Sequence, residues 1–210
     1  MPNRGDRGGS RTRAHIADVA TGLFLERGFD DVTIAEVAAA AGVSKVTVFA
    51  HFAKKEDLLL DRLPDVVEIA RAAVRERADD VGPVTAIRQT LLALAEERHG
   101  LSVLAEGIEP FLRIVVAAPT VIARLRVFEH EVEVALAEEL ASDRRFTGDA
   151  ALLAGLVVAA YRVVVVATVR RRLGGDDLAD IAAAHRQRLR RAFDAIEHGI
   201  SAEPRPPARP

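Results

Sequence analysis

The fold is decided by the sequence TIAEVAAAAGVSKVTVFAHFAKKEDLLL, which occupies residues 33–60. Apolar residues recur at helical spacing on both sides of Gly42, and glycine adopts without strain the positive φ that a tight turn between helices requires. Ala38 is small enough to let two crossing helices approach closely, and Val48 returns an apolar face to the core. Ser44 is a favourable N-cap for the second helix. The stretch therefore predicts a helix-turn-helix.

The first turn of the second helix carries Lys45, Val46 and Thr47, and in a helix-turn-helix such positions reach the edges of DNA bases. Lys45 and Thr47 can hydrogen-bond a base, whereas Val46 can contact a thymine methyl group but cannot hydrogen-bond. The Ser44 hydroxyl is less available to a base if it caps the helix. Base recognition is therefore expected to depend mainly on Lys45 and Thr47.

The stretch from Arg13 to Leu60 resembles the DNA-binding domain of the TetR/AcrR family of bacterial transcriptional regulators. The similar features are a first helix rich in Ala, Leu and Phe, the pair Gly28-Phe29, Thr33, the turn Ala-Gly-Val-Ser, and Phe52 followed by Lys-Glu-Asp-Leu. The resemblance implies an all-α, TetR-like fold of about nine helices. Three of them would form an N-terminal helix-turn-helix domain, and the others a C-terminal helical domain that binds ligands and dimerises.

The resemblance also implies a set of DNA contacts. Helix ends are expected to supply the phosphate contacts, through Thr33, His51 and Lys55. A buried, hydrogen-bonded histidine is an equally good interpretation of His51. Phe49 lacks the hydroxyl with which the tyrosine common in the family reaches a phosphate, so it can only pack. The complete expected set is Thr33, Ser44, Lys45, Val46, Thr47, Phe49, His51 and Lys55.

The chain is expected to have four parts. Residues 1–12 are rich in Gly and Arg and are predicted to form a flexible basic arm, which either enters a minor groove or remains a nonspecifically attracted tail. The resemblance implies that residues 13–60 form the helix-turn-helix domain and residues 61–200 the ligand-binding and dimerisation domain. The proline-rich residues 201–210 are predicted to be a disordered tail. Pro64 predicts a bend or break in the fourth helical pattern.

The segment from Ala150 to Val169 is apolar on nearly every side, and a helix of that kind must be buried. Its length also meets the criterion for a membrane span, but Arg162 interrupts it. A partner subunit is the favoured cover, and an intrachain core is the alternative. A homodimer would place two recognition helices about one turn of DNA apart on a palindromic operator in double-stranded DNA.

Apolar side chains near Pro110 and on the following helices are candidates for an effector pocket, and two arginines are candidates for orienting the ligand. Ordinary core packing is the alternative for the apolar residues, and solvent exposure or ion pairing is the alternative for the arginines. The aliphatic lining predicts a hydrophobic small-molecule effector. The pocket candidates are Leu104, Ile108, Phe111, Leu112, Arg113, Val115, Phe128, Tyr161 and Arg162.

Catalytic and metal-binding functions are disfavoured. The chain contains no cysteine, and its six histidines include no pair spaced four residues apart on a helix. No glycine-bounded serine nucleophile and no phosphate-binding glycine loop follows a strand pattern. We therefore expect no enzyme activity, metal or cofactor. No export signal is evident at the N-terminus, so a cytoplasmic location is expected. The function expected from the resemblance is a ligand-responsive transcriptional regulator, most often a repressor.

Overall fold

The computed structural model describes residues 4–199, with side chains described from Gly9 onward. Within that range the chain forms ten α-helices and one short 3-10 turn, and no strand. The predicted all-α fold is confirmed. Residues 1–3 of the predicted arm and the predicted disordered tail at 201–210 lie outside the described residues.

The first helix has 24 residues, the next three have five to seven each, and the last three have 21 to 25. A 3-10 turn, Gly100–Ser102, lies between the sixth and seventh helices. The helices are α1 Arg4–Arg27, α2 Ile34–Ala40, α3 Lys45–His51, α4 Lys55–Leu59, α5 Leu63–Arg75, α6 Pro83–Glu96, α7 Glu109–Ala117, α8 Pro119–Ser142, α9 Ala150–Gly174 and α10 Leu178–His198.

Side-chain caps explain where several helices begin. Ser44 accepts a hydrogen bond from Thr47 N at the start of α3, and Asp177 accepts from the first turn of α10. Gly42 has φ +67°, which allows the chain to turn between α2 and α3. Gly175, at φ +83°, ends α9 in the left-handed conformation that leaves its N–H free to satisfy carbonyls of the last turn. These boundaries agree with the sequence-based expectation.

The predicted flexible arm is wrong for its described part, because α1 begins at Arg4 and residues 4–12 are helical. The helix nucleus is fixed downstream, where Ile16, Ala20 and Phe24 are fully buried. Once a helix is nucleated, each added residue gains a backbone hydrogen bond at little further cost. The Gly- and Arg-rich residues therefore extend an existing helix, although they would not form one alone.

The fourth helical pattern is broken into α4 and α5 by Leu60, Asp61 and Arg62. Pro64 lies in the first turn of α5, where its missing N–H leaves no helical hydrogen bond unmade. The predicted bend is therefore a complete break, and it raises the number of helices from the expected nine or so to ten.

The chain divides into two compact units, and the division differs from the predicted boundary at residue 60. One unit comprises Met1–Glu68 and Glu106–Glu131, and the other comprises Ile69–Ala105 and Val132–Pro210. The helix-turn-helix unit therefore includes α7 and the first half of α8. A domain of residues 13–60 alone would be marginally stable, because so short a chain can bury little apolar surface. Val115, Ala118 and Val121 complete its core.

Each unit has its own apolar core. The core of the first unit includes the fully buried side chains of Phe24 and Leu58. The main core of the second unit is made by residues of α5, α6, α8, α9 and α10, and the fully buried Phe193 lies within it. A smaller cluster in the same unit joins α6, α10 and the segment before α7, and its members are Ala95, Leu104, Ile181 and Ala182.

A buried polar pair joins α9 and α10 in the second unit. Thr168 Oγ1 donates to the Val164 carbonyl at 2.9 Å and lies 2.8 Å from Nδ1 of His185, which is 2% exposed. Since the threonine proton is already used, His185 donates from Nδ1 and its Nε2 carries a lone pair. Burial, and after it the charge of Arg186, lowers the pKa of His185 to about 4. His185 is therefore neutral at pH 7.

We predict that His185 makes folding stability depend on pH below neutrality. Between its ordinary pKa of 6.5 and its folded value of about 4, the unfolded chain binds a proton that the folded chain does not. The free energy of unfolding should therefore fall as the pH drops through this window, by roughly 3 kcal/mol in total. Urea unfolding of the wild type and of His185→Asn at a series of pH values measures this contribution.

The His185→Asn protein should lose less stability than the wild type between pH 6.5 and 4. His15→Asn is the matched control, because it makes the same substitution at an exposed position of α1, away from the buried pair. Equal slopes for the wild type and His185→Asn would contradict the prediction.

Candidate nucleic-acid interface

The recognition helix α3 is fixed to the first unit by one face. Val48 is 1% exposed and Phe52, which follows the helix, is 2% exposed, and both pack with α1 and α2 residues in the same core. The opposite face is open to solvent and carries Lys45, Val46 and Phe49. Val46 is 78% exposed and Phe49 is 56% exposed. An apolar anchor on one face thus presents the other face to a partner.

The two hydroxyl side chains of this helix bind each other. Ser44 Oγ accepts from the Thr47 backbone N–H at 3.0 Å and lies 2.8 Å from Thr47 Oγ1. One of the two hydroxyl protons is used in that second bond, so the pair keeps one proton for another acceptor. Thr47 is also half-buried. Ser44 and Thr47 therefore have less hydrogen-bonding capacity for bases than their positions suggest.

Thr33 forms a capping box at the start of α2. Its hydroxyl donates to Glu36 Oε2 at 2.7 Å, and its backbone N–H donates to the same oxygen at 2.8 Å. These two bonds with Thr33, followed by a side-chain bond from Arg27, lower the pKa of Glu36 to about 2. A charged cap at a helix N-terminus is favoured by the helix dipole. Thr33 thus has a clear role in capping, and its contact with phosphate stays a prediction.

Lys55 and His51 lie half-buried at helix ends, where the phosphate contacts are expected. The Lys55 ammonium lies 4.4 Å from the centroid of the Phe29 ring and 3.4 Å from the Asp30 carbonyl oxygen. This position holds the positive charge at the first turn of α4. His51 is not among the buried polar residues, so the structure does not support its interpretation as a core histidine.

Arg13 is a structural residue that the sequence prediction missed, because it was assigned to the boundary of the arm. Its guanidinium stacks over the Phe52 ring at 4.2 Å, donates to the His51 carbonyl, and pairs with Asp61 at 2.7 Å. It therefore connects α1 to the end of α3 and to the break between α4 and α5. The signal in the sequence is its spacing, because Arg13 lies three residues before Ile16 on the apolar stripe of α1.

Comparison with known proteins assigns the helix-turn-helix domain to a family. The model of "Bacterial regulatory proteins, tetR family" matches residues 16–61. The transcriptional regulator TtgR of Pseudomonas putida is 37% identical over 90 residues, or 41% of this chain and 42% of TtgR. TcmR of Streptomyces glaucescens is 28% identical over 160 residues, or 73% of this chain and 70% of TcmR. The chain belongs to the tetR family of bacterial regulatory proteins.

Solved structures extend the likeness beyond the helix-turn-helix of this tetR-family chain. The FadR structure of Thermus thermophilus covers 94% of this chain and 100% of its own, with a TM-score of 0.57 and 24% identity. The SmeT structure covers 93% of this chain and 99% of its own, with a TM-score of 0.58 and 18% identity. The TetR-like fold is thus shared along nearly the whole chain, whereas the match to TtgR spans about two fifths of that relative.

The structure does not gather the predicted pocket residues of this tetR-family chain into one packing cluster. Phe111 and Val115 pack in the core of the helix-turn-helix unit, Leu104 lies in the small cluster of the second unit, and Tyr161 packs against its main core. Leu112 and Phe128 are buried and Ile108 is half-buried within the first unit. These placements agree with ordinary core packing, the alternative given for the apolar candidates.

The polar pocket candidates are also placed differently from the expectation. Arg113 and Arg162 are exposed, so neither guanidinium lies in the apolar surroundings that were predicted. Tyr161 is half-buried and donates its hydroxyl to the Leu101 carbonyl at 3.3 Å. Burial raises the pKa of Tyr161 to about 12. Exposure of an arginine is not visible in sequence, because its long stem can accompany apolar neighbours at many helix positions.

A groove of about 510 Å³ lies within the second unit, between α5 and α6. Its apolar wall includes Ile69 and Val81. Arg77 also lines it, and the Arg77 guanidinium is held by an almost fully buried ion pair with Asp143. The sequence prediction missed this groove, because its small residues carry no distinctive motif. The full lining is Ile69, Ala72, Ala73, Glu76, Arg77, Ala78, Val81, Ala86, Gln89 and Thr90.

Helix α9 leaves much of its apolar surface uncovered within the single chain. By length and composition it is able to cross a membrane. Only 17% of its most apolar 18-residue stretch is buried against the rest of the chain. The exposed apolar residues follow each other at spacings of four, seven and three, so they lie on one side of the helix. They are Leu152, Leu156, Val163 and Val166.

We predict that Arg13→Met loosens the attachment of the recognition helix. The substitution removes a charged hydrogen bond, an ion pair and a cation–π contact, and the free energy of unfolding should fall by about 1–3 kcal/mol. Chemical unfolding followed by circular dichroism measures the change. Arg11→Met is the matched control, because Arg11 is exposed on the same helix. Equal stabilities of the two variants would show that the Arg13 contacts do not hold α3.

Proposed function

We propose that this chain is a transcriptional regulator that binds a palindromic operator in double-stranded DNA as a homodimer, represses from it, and is released by a hydrophobic small molecule. The observation that carries the proposal is the solvent-facing side of α3, which is anchored by Val48 and Phe52 and carries Lys45 at its first turn. Family membership supports the same assignment. BepR of Brucella suis, a relative matched at 32% identity, is named a transcriptional repressor.

The DNA contacts are proposed to come from the exposed face of α3 and from neighbouring helix ends. Lys45 supplies the charged donor for a base edge, and Lys55 supplies a positive charge for a phosphate. The N-terminus of α3 adds the positive end of its helix dipole. The contact set remains the one expected from the sequence, namely Thr33, Ser44, Lys45, Val46, Thr47, Phe49, His51 and Lys55.

The second copy of the chain is proposed to cover the apolar stripe of α9. Four large apolar side chains on one side of a helix are costly to leave in water, and an isologous interface buries the same stripe of both copies. Arg162 lies between two residues of the stripe and is exposed, which suits a protein interface better than a lipid interior. We therefore propose a dimer in the cytoplasm, with no membrane partner.

The effector is proposed to be a hydrophobic small molecule that binds in the groove of the second unit. The alanines and the isoleucine and valine of the groove give it an apolar wall, while Gln89 and Thr90 offer hydrogen bonds. FadR was solved in complex with lauroyl-CoA, which carries an apolar acyl chain, and SmeT in complex with triclosan, which is largely apolar. Release requires the ligand to bind the non-DNA-binding arrangement more tightly than the other.

A regulator is preferred to an enzyme because the relatives matched along the chain are named as transcriptional regulators. Among the described residues, no group of three or more His, Asp or Glu is placed to hold a metal ion. We propose no catalytic residue and no cofactor.

We predict that selection from a random pool of duplex DNA recovers a palindromic site. The Leu156→Glu/Val163→Glu protein should be monomeric, because two carboxylates would be buried at the proposed interface. Its affinity for the selected site should fall on the order of 100-fold or more, since each half-site is then bound alone. Sedimentation measures the mass, and fluorescence anisotropy measures the DNA affinity.

Val116→Glu is the control for the dimer variant, because Val116 is 49% exposed on α7 and lies outside the stripe. It should leave both the mass and the affinity unchanged. Recovery of no palindromic sequence by the wild type would count against operator binding. A Leu156→Glu/Val163→Glu protein that remains dimeric would place the subunit interface elsewhere.

We predict that a screen of hydrophobic compounds, with lauroyl-CoA and triclosan among them, finds a compound that releases the protein from the selected DNA. Ala72→Phe should fill part of the groove and raise the concentration needed for release on the order of tenfold or more. Ala93→Phe is the control, because Ala93 is exposed on α6 and lies outside the groove lining. Equal responses of both variants would place the effector outside the groove.

A further inference from the structure

The surface that α3 offers to DNA is more apolar than polar. Val46 and Phe49 are three residues apart on the helix, so their side chains are neighbours on the exposed face. Their exposures of 78% and 56% are the two largest among the exposed apolar side chains of the first unit. Packing of the helix against the core does not involve Val46 or Phe49, because Val48 and Phe52 supply those contacts.

The polar side chains beside this pair leave few hydrogen bonds for bases. The Ser44 and Thr47 hydroxyl groups share a bond of 2.8 Å, which leaves the two residues one proton for DNA. Thr47 is half-buried, and Ser44 also accepts from the Thr47 backbone N–H. Lys45 is a donor on a flexible stem, so it selects an electronegative base edge without fixing one base. Hydrogen bonds alone therefore give this helix little means of selecting a sequence.

An apolar pair can still select a sequence in the major groove. Thymine presents a C5 methyl group there, and neither cytosine nor any purine does. Burying a methyl group against apolar side chains is favourable, and each one contributes about a fourfold change in affinity. The charges that would hold the helix in the groove, Lys45, Lys54 and Lys55, are close to the pair in sequence.

We propose that Val46 and Phe49 select operator half-sites by the C5 methyl groups of pyrimidines. Thymine is the natural base that carries this group, and 5-methylcytosine is accepted in its place because the pair makes no hydrogen bond that distinguishes the two bases. The inference rests on the proposed DNA-binding function and names the chemical group that the helix recognises.

The experiment uses the full-length protein and the selected operator, with one thymine at a time replaced by deoxyuridine in both half-sites. Deoxyuridine differs from thymidine only by loss of the C5 methyl group. At a position read by the pair, the affinity should fall roughly 15-fold, about fourfold in each half-site. Replacing the same T·A pair by 5-methylcytosine·G should restore most of the affinity, and replacing it by cytosine·G should not.

The Val46→Ala protein links the effect to the helix. It should bind the thymine and deoxyuridine duplexes with nearly equal affinity at the position that Val46 reads. Val116→Ala is the control, since it removes the same atoms from a 49%-exposed valine on α7 and should keep the full deoxyuridine effect. Thermal unfolding of both variants should match the wild type, because both valines are largely exposed and outside the cores.

Each outcome decides between named alternatives. Tight binding of the selected duplex without any deoxyuridine effect would support the proposed function and overturn methyl recognition. A loss on 5-methylcytosine·G as large as the loss on cytosine·G would assign the position to hydrogen bonding, and would also overturn it. A Val46→Ala protein that weakens every sequence equally would place Val46 against the backbone of DNA. Failure of the wild type to bind any selected duplex would overturn both the function and the inference.

Discussion

The position of the recognition helix depends on one guanidinium group. Arg13 stacks on Phe52, donates to the carbonyl of the last residue of α3, and pairs with Asp61 after α4, so a single side chain on α1 fixes two other elements. The apolar core beneath α3 excludes water but does not by itself set the direction of the helix, because apolar contacts are not directional. The directional contacts of Arg13 supply that constraint. The exposed face of α3 is therefore presented by charge as well as by packing.

Much of the local structure followed from the sequence because short-range chemistry determines it. Ser44 and Asp177 cap helices, Gly42 turns the chain, and Pro64 lies in the first turn of a helix, and each effect involves residues only a few positions apart. The all-α fold and the family followed from the same kind of pattern. The helix termini set by Ser44, Asp177 and Gly175 were correct for the same reason, whereas the predicted start of α1 was wrong, because the buried part of that helix extends it back to Arg4.

Contacts between distant residues could not be predicted in this way. The partners of Arg13 are 38 to 48 residues away, and the Ala118 and Val121 that complete the helix-turn-helix core are about 60 residues beyond it. The predicted effector residues are apolar at helical spacing, which describes core packing equally well, and the structure assigns Phe111, Leu104 and Tyr161 to different clusters. The groove between α5 and α6 depends on where small side chains leave space, and no sequence motif indicates that arrangement.

The proposed subunit interface on the apolar stripe of α9 would make DNA binding depend on the amount of protein. In the homodimer proposed above, two chains must meet before a palindromic operator is occupied, so at low abundance the concentration of the proposed dimer varies with the square of the subunit concentration. A twofold dilution, such as division of a cell before new synthesis, would then reduce that species about fourfold. Under that proposal, four exposed apolar side chains on one helix would make occupancy of the operator a steep function of expression level.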